Sequence, residues 1–314
     1  MNILQITFLD KLAYQIENQH FKAIVLPSQG SNVISLYDKK KNVELLRTPQ
    51  TKEEYTLRPM LYGIPVLFPP NRIEDATFVY HNQVYNLAMN RAKENNHIHG
   101  FVHDKEWDVV VEECTNHKLI TRLDSRKHPE ILQQFPHEFI LEMHVELKDT
   151  GLIQTLVVKN HSDKKMPVGL GHHTTFAFPI STSTLQIDVE KQWVLNERYL
   201  PTGELQDATY QEELENGMIL KDITLDDVYP MTENLAAVIK HPSLGIEISY
   251  TATKGYLHWV LFTAGGKDDL LAIEPYSWVT NAPNINLPPE LTGLQGLEPG
   301  EEKAFVTEIN VLHL

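Results

Sequence analysis

Four stretches of this sequence place ionisable side chains beside glycine or proline, where the chain bends and where loops on a rigid scaffold often carry function. "GLGHHTTFAFP", Gly169 to Pro179, sets His172 and His173 between small residues and an aromatic pair. "LLAIEPYSWVTNAPN" ends a strongly apolar run on Glu274. A carboxylate buried there loses water on folding, which raises its pKa and makes it a better proton acceptor. A solvated or Arg-paired Glu at a strand end is the plainer account of the same residue. "YGIPVLFPPNRI" leads through prolines to Asn71 and Arg72. Those prolines argue against an interior helix or a central strand, so Arg72 follows a turn-rich entry, free to fork onto hydroxyls or a carboxylate or simply to face solvent. "NNHIHGFVHDKEW" carries His97, His99, His103, Glu106 and Trp107. Histidines two apart on an extended segment point the same way, so His97 and His99 could share a metal. The pattern covers one short stretch with no identifiable outer partner, so the expectation is no metal, with His97 and His103 structural.

Other chemistries lack their residues. No G-x-S-x-G elbow supplies an activated serine, and Cys114 in "EECTNHK" sits among carboxylates that disfavour its thiolate. No Gly-rich loop opens a helix and no Walker-type G-K-[ST] is present, so no nucleotide cofactor is expected; "TAGGKDD" reads as an exposed turn. A formal charge of −15 disfavours a polyanionic partner, so no nucleic acid is expected. The single cysteine permits no internal disulfide or multi-thiolate site and fits a reducing compartment. "MNILQITFLDKLAYQ" lacks the basic start and cleavage site of a secretory signal, and no apolar run approaches the roughly 20 residues that cross a bilayer. The expectation is a soluble, cytoplasmic protein without a membrane partner.

What remains is proton transfer by His and Glu, assisted by Arg and Asp. That set suits a cyclic sugar hemiacetal. Its anomers interconvert when an acid protonates the ring oxygen and a base removes the anomeric hydroxyl proton, the two groups flanking the pyranose with no cofactor needed.

The elements that must hold these groups read as strands. In "FILEMHVEL", Phe139, Leu141, Met143, Val145 and Leu147 fall on one face, with Glu142, His144 and Glu146 on the other. "KDTG" then turns the chain into "LIQTLVVKN", an antiparallel hairpin. "FKAIVLP", "NVISLYD", "TFVYHNQVYNL", "WDVVVEE", "KLITRL", "TLQIDVE", "GIEISYT", "LHWVLFT" and "KAFVTEINVL" repeat the pattern. Only "TKEEYTL", "HPEILQQF" and the stretch after Asp207 could hold helical turns. Strand following strand predicts an all-β fold, a large antiparallel β-sandwich, and with no linker or repeat, residues 1–314 form one domain.

In their order and spacing, "GIPVLFPPNRI", "TFVYHNQVYNL", "HIHGFVHDKEW", "GLGHHTTFAFP", "LDDVY" and "LAIEPYSWVTNAPN" resemble the aldose 1-epimerase, or galactose mutarotase-like, family across nearly the whole chain. The "EPY" motif is similar to that of a bacterial branch. The resemblance implies a supersandwich of antiparallel strands, an isomerase that interconverts the anomers of a hexose, and no cofactor. The family pattern G-x-H-x-x-F is met by Gly171, His173 and Phe176, which implies His173 as the acid and turns His172 to the opposite face. Glu274 would be the general base, with Arg72, His99 and Asp226 binding substrate hydroxyls. Asp226 is implied over Asp227 because Leu225, Asp226 and Tyr229 meet L-D-x-x-aromatic. Thr174 stands where a proline commonly follows the histidine, which implies a local change in the pocket wall. Trp278 could stack on the sugar, or belong to the core. The implied partner is a monosaccharide, and the protein a monomer or homodimer. Two other readings stay open: a catalytically silent sugar-binding or sensing protein, and an epimerase for phosphorylated hexoses, for which Arg91 and Lys93 would supply charge.

Overall fold

The computed structural model describes residues 3–253 and 255–314. Most of the alternating segments form strands where the pattern predicts them. Phe139–Lys148 buries every second residue, pairs with Gly151–Asn160, and that strand in turn pairs with Glu302–His313. Each fully buried Leu or Val along such a face contributes roughly 1.5–3 kcal/mol relative to exposure. The three helical stretches are short helices, Lys52–Leu57, Pro129–Gln134 and Gln211–Asn216. Thr51 caps the first through a bond from Glu54 N at 3.2 Å.

"WDVVVEE" departs from the expectation. Only Asp108–Val109 pairs as strand, and Val111–Glu113 turns into a 3₁₀ helix. Its three valines do not alternate with polar residues, and the Cys114 thiol closes the turn by donating to Val110 O at 3.1 Å. The strand in "TLQIDVE" likewise stops early, at Thr184–Ile187.

Beside a five-stranded sheet of Leu4–Phe8, Lys11–Glu17, Phe21–Leu26, Asn32–Asp38 and Val43–Glu44, two larger sheets face each other across the core. The nine-stranded one runs, in spatial order, Asp108–Val109, Lys118–Asp124, Phe139–Lys148, Gly151–Asn160, Glu302–His313, Ile246–Ala252, Ala236–His241, Thr184–Ile187 and Met218–Ile219. The six-stranded one runs Asp226–Pro230, His258–Phe262, Leu270–Tyr276, Gly171–His172 and Val66–Leu67, with Thr174–Ala177 also paired to Leu270–Tyr276. Pairings in both are antiparallel. Tyr250, from the nine-stranded sheet, shows how the faces meet. Its ring lies 5.5 Å from Phe176 and 6.0 Å from Trp259, and its hydroxyl bonds Thr174 Oγ1 at 2.8 Å. The six-stranded sheet is therefore covered on one side by core, and its other side carries the groups singled out above. Among the described residues no helix is long and apolar enough to cross a membrane.

Candidate active site

The strand Leu270–Tyr276 is the axis of the site, and all of its residues are buried. Val260 pairs with Glu274 on one side, while on the other Thr174 pairs with Ile273 and Gly171 with Tyr276. His173 sits in the gap between the two short strands Gly171–His172 and Thr174–Ala177, and its N–H donates to Pro65 O at 2.9 Å. Side chains alternate along a strand, so this register sets His173 beside Glu274 and turns Thr174 to the core face. Asp226 joins from the sheet edge, paired with Phe262.

Arg72 begins the strand Arg72–Glu74, which pairs with Asn96–Ile98. Past Ile98 the chain turns through left-handed backbone at His99, φ 66°, where the His99 N–H donates to Asn71 O at 2.9 Å. A left-handed histidine is uncommon and strained, and the turn has a clear effect. His97 and His99 do not share a face: His97 is buried with Nδ1 2.6 Å from Ala88 O, whereas His99 reaches the cavity. The shared-metal alternative fails here, and among the described residues no three His, Cys, Asp or Glu side chains group as a metal site would need.

A cavity of about 420 Å³ is lined by His173, Glu274, Arg72, His99 and Asp226 together. His173 Nε2 lies 3.4 Å from Glu274 Oε1, and the His99 ring stands edge-on to His173 at 5.4 Å. Arg72 faces Asp226 at 3.6 Å, donates to Asn71 Oδ1 at 3.0 Å, and stacks on the Tyr199 ring at 4.7 Å. The imidazole and carboxyl thus sit side by side rather than across the cavity from each other. Flanking a ring is not their geometry. Two neighbouring oxygens on one carbon would meet both at once.

Burial sets the proton inventory. It pushes the Glu274 carboxyl up to about 8, against smaller opposing pulls from the Tyr276 hydrogen bond and Arg72. It also pushes the His173 imidazole down to about 4. Between those limits the pair holds one proton, and both atoms that can carry it face each other. Burial raises Asp226 as well, with Arg72 opposing. His99 is depressed far below its ordinary value by burial and then by His173, so it stays a neutral ring able to donate one hydrogen bond and accept another.

The aldose 1-epimerase family model matches residues 13–310. This chain belongs to the aldose 1-epimerase family. A galactose mutarotase-like protein from Clostridium acetobutylicum is 30% identical, with 100% of this chain and 99% of that one covered at a TM-score of 0.92. An aldose epimerase homologue from C. elegans, 18% identical over 96% and 98% of the two chains, and a galactose 1-epimerase from Lactobacillus acidophilus, 17% identical over 99% and 98%, share the fold at TM-scores of 0.78 and 0.75. Membership makes the chain an isomerase of mutarotase-like function with a sugar as its substrate class.

Other residues singled out in the sequence lie off the cavity of this aldose 1-epimerase scaffold. Trp278 does not line the cavity; it is buried over Gly169, where an added Cβ would strike its indole. Apolar side chains at the cavity include Phe262, Val260, Ile98, Met60 and the Tyr276 ring. His172 is buried with its ring 6.1 Å from Tyr256, off the cavity. Asp227, one residue on from Asp226, pairs with Leu261 and does not reach the cavity. Thr174 is not part of the cavity lining; its side chain bonds Tyr250 in the core. Sequence reasoning missed Tyr276 and Arg58, both of which line the cavity. The "EPY" spacing held a signal for Tyr276, since residues two apart on a strand share a face.

Proposed function

We propose that this protein interconverts the α and β anomers of a hexose, with Glu274 as general base and His173 as general acid. The observation that carries the reading is a buried imidazole and carboxyl 3.4 Å apart, sharing one cavity with Arg72, Asp226 and His99. The pair's one proton first passes from Glu274 Oε1 to His173 Nε2; Glu274 then takes the proton from the anomeric hydroxyl while His173 gives its own to the ring oxygen, and the C1–O5 bond breaks to leave an open-chain aldehyde. After rotation about C1–C2, O5 attacks the other face of C1. His173 recovers its proton from O5 and Glu274 returns one to O1, so the pair ends as it began. Arg72, His99 and Asp226 hold the remaining hydroxyls, which fixes the ring without blocking rotation about one bond. No cofactor enters the cycle, and we treat residues 1–314 as one functional unit.

Arg58 and Arg91 also line the cavity, and among the described residues Arg91 has a loose partner in Glu94 at 3.6 Å. Guanidinium groups on the wall of a chain with net charge −15 favour a second reading, a hexose that carries a phosphate.

Polarimetry on freshly dissolved α-glucose, α-galactose and a hexose 6-phosphate tests both. His173→Asn and Glu274→Gln should each lose on the order of 10²-fold or more of the acceleration. Acceleration that survives both substitutions rejects the assignment. Sugar binding by calorimetry with no anomer exchange in NMR would make the protein a silent binder. For the second reading, Arg58→Ala and Arg91→Ala should lower kcat/KM for the phosphate ester alone.

A further inference from the structure

The two oxygens of Glu274 are engaged separately. Oε1 faces His173 Nε2 at 3.4 Å, and Oε2 accepts a hydrogen bond from the Tyr276 hydroxyl. Tyr276 is fully buried and forms part of the cavity wall. Directly opposite it in the sheet is Gly171. A Cβ added at Gly171 would lie 2.7 Å from Tyr276 Cε1, closer than real side chains approach, and 3.0 Å from Pro70 Cβ, a tight contact. Gly171 does not have left-handed backbone, so the site uses its missing side chain and not a bend of the chain.

We propose that Tyr276 is a positioning residue for the epimerisation: its hydroxyl pins Glu274 Oε2 so that Oε1 alone exchanges protons, and Gly171 makes the room in which the phenol ring lies. The proposal rests on the epimerase reading above. A phenol that donates to Oε2 occupies that oxygen with an O–H, so a proton held by the carboxyl must sit on Oε1, on the His173 side. Donation also favours the carboxylate, the form that accepts a proton from the sugar. Burial and the neighbouring carboxyl keep the Tyr276 phenol far above its ordinary value, so it remains a donor throughout the working range. The other ionisable groups around Glu274 come from several elements: His173 beside it, with His99 against His173, Arg72 and Asp226 lining the same cavity, and Tyr250 from the opposite sheet. Of these, Arg72 favours the carboxylate and Asp226 opposes it.

Tyr276→Phe keeps the ring and deletes only the donor. Expected is a fall in kcat of about 10-fold with little change in KM, and an upward move of the alkaline limb of the pH profile by about one unit. Gly171→Ala keeps the hydroxyl but displaces the ring, and should move the same limb in the same direction. A residue that merely filled space would lower activity or melting temperature without moving that limb. A second readout needs no turnover: the carboxyl ¹³C resonance of Glu274, in protein labelled at glutamate, should titrate higher in Tyr276→Phe than in wild type. An unmoved carboxyl titration in Tyr276→Phe overturns the proposal, as does an unmoved alkaline limb with kcat within about twofold of wild type. If wild type accelerates no sugar, the epimerase reading falls and the carboxyl titration alone decides whether Tyr276 pins Glu274.

Discussion

Glu274 is an ionisable group on a strand with no exposed residue, and a lone charge there would cost far more than one hydrogen bond returns. The side chain is tolerated because it holds a proton. Its carboxyl is raised by burial to about 8 from the ordinary 4.5, so the folded protein binds this proton more tightly than the unfolded chain does. Stability from this group is complete below pH 4.5 and is lost as pH rises through 8. Glu274→Gln keeps an oxygen to accept from Tyr276 and cannot ionise. It should match wild type in melting temperature near pH 4.5 and gain on the order of 1–3 kcal/mol by pH 8, while losing turnover. Thermal melts at the two pH values check this. A gain that does not grow with pH would show that Glu274 is not desolvated.

Among the elements, Thr174–Ala177 is a strand of four residues whose two faces have separate duties. His173, just before it, faces the cavity, while Thr174 and Phe176 meet Tyr250 across the sandwich. Thr174→Val deletes the hydroxyl that pairs with the Tyr250 phenol but keeps the shape. It should cost about 1 kcal/mol in urea unfolding and leave kcat/KM within about twofold of wild type. A large activity loss without destabilisation would show that the strand's faces are not independent. The same division explains what the sequence made legible. Phe139–Lys148 could be read because one face is dry and the other wet, which writes itself as alternation. Leu4–Phe8 and Lys11–Glu17 could not, since Leu4 and Leu12 are 53% and 55% exposed and break the in-and-out rhythm. Arg72, His99, His173, Asp226 and Glu274 were recognisable from motifs, and one cavity gathers them. Their side-by-side geometry was not legible, because it depends on the register between Thr174–Ala177 and Leu270–Tyr276, two segments distant in sequence. The role of Tyr276 was hidden for the same reason: its counterpart Gly171 lies across the sheet.

At the scale of the whole molecule, the sandwich supplies what no motif contains, a wall that keeps water from two adjacent proton-transfer groups. Desolvation drives both toward their neutral forms, His173 down to about 4 and Glu274 up to about 8. The consequence is a wide working range. Below the lower limit a second proton binds, both groups are protonated and no base remains. Above the upper limit the last proton leaves and no acid remains. Catalysis needs the state with one proton, so kcat/KM should be flat between about pH 4 and 8 and fall on either side. A solvated histidine would instead put a limb near about 6.5, in the middle of that plateau. The measurement is kcat/KM for anomer exchange by NMR, corrected for spontaneous mutarotation, with circular dichroism at each pH to separate titration from unfolding. The acidic limb needs that control most. The chain carries 42 Asp and Glu against 27 Lys and Arg, so protonation below the carboxylate range reverses its net charge and strains the whole fold. A plateau that ends near pH 6.5 while the fold remains intact would mean that water reaches His173, and the pair could not then share its single proton over the range the structure implies.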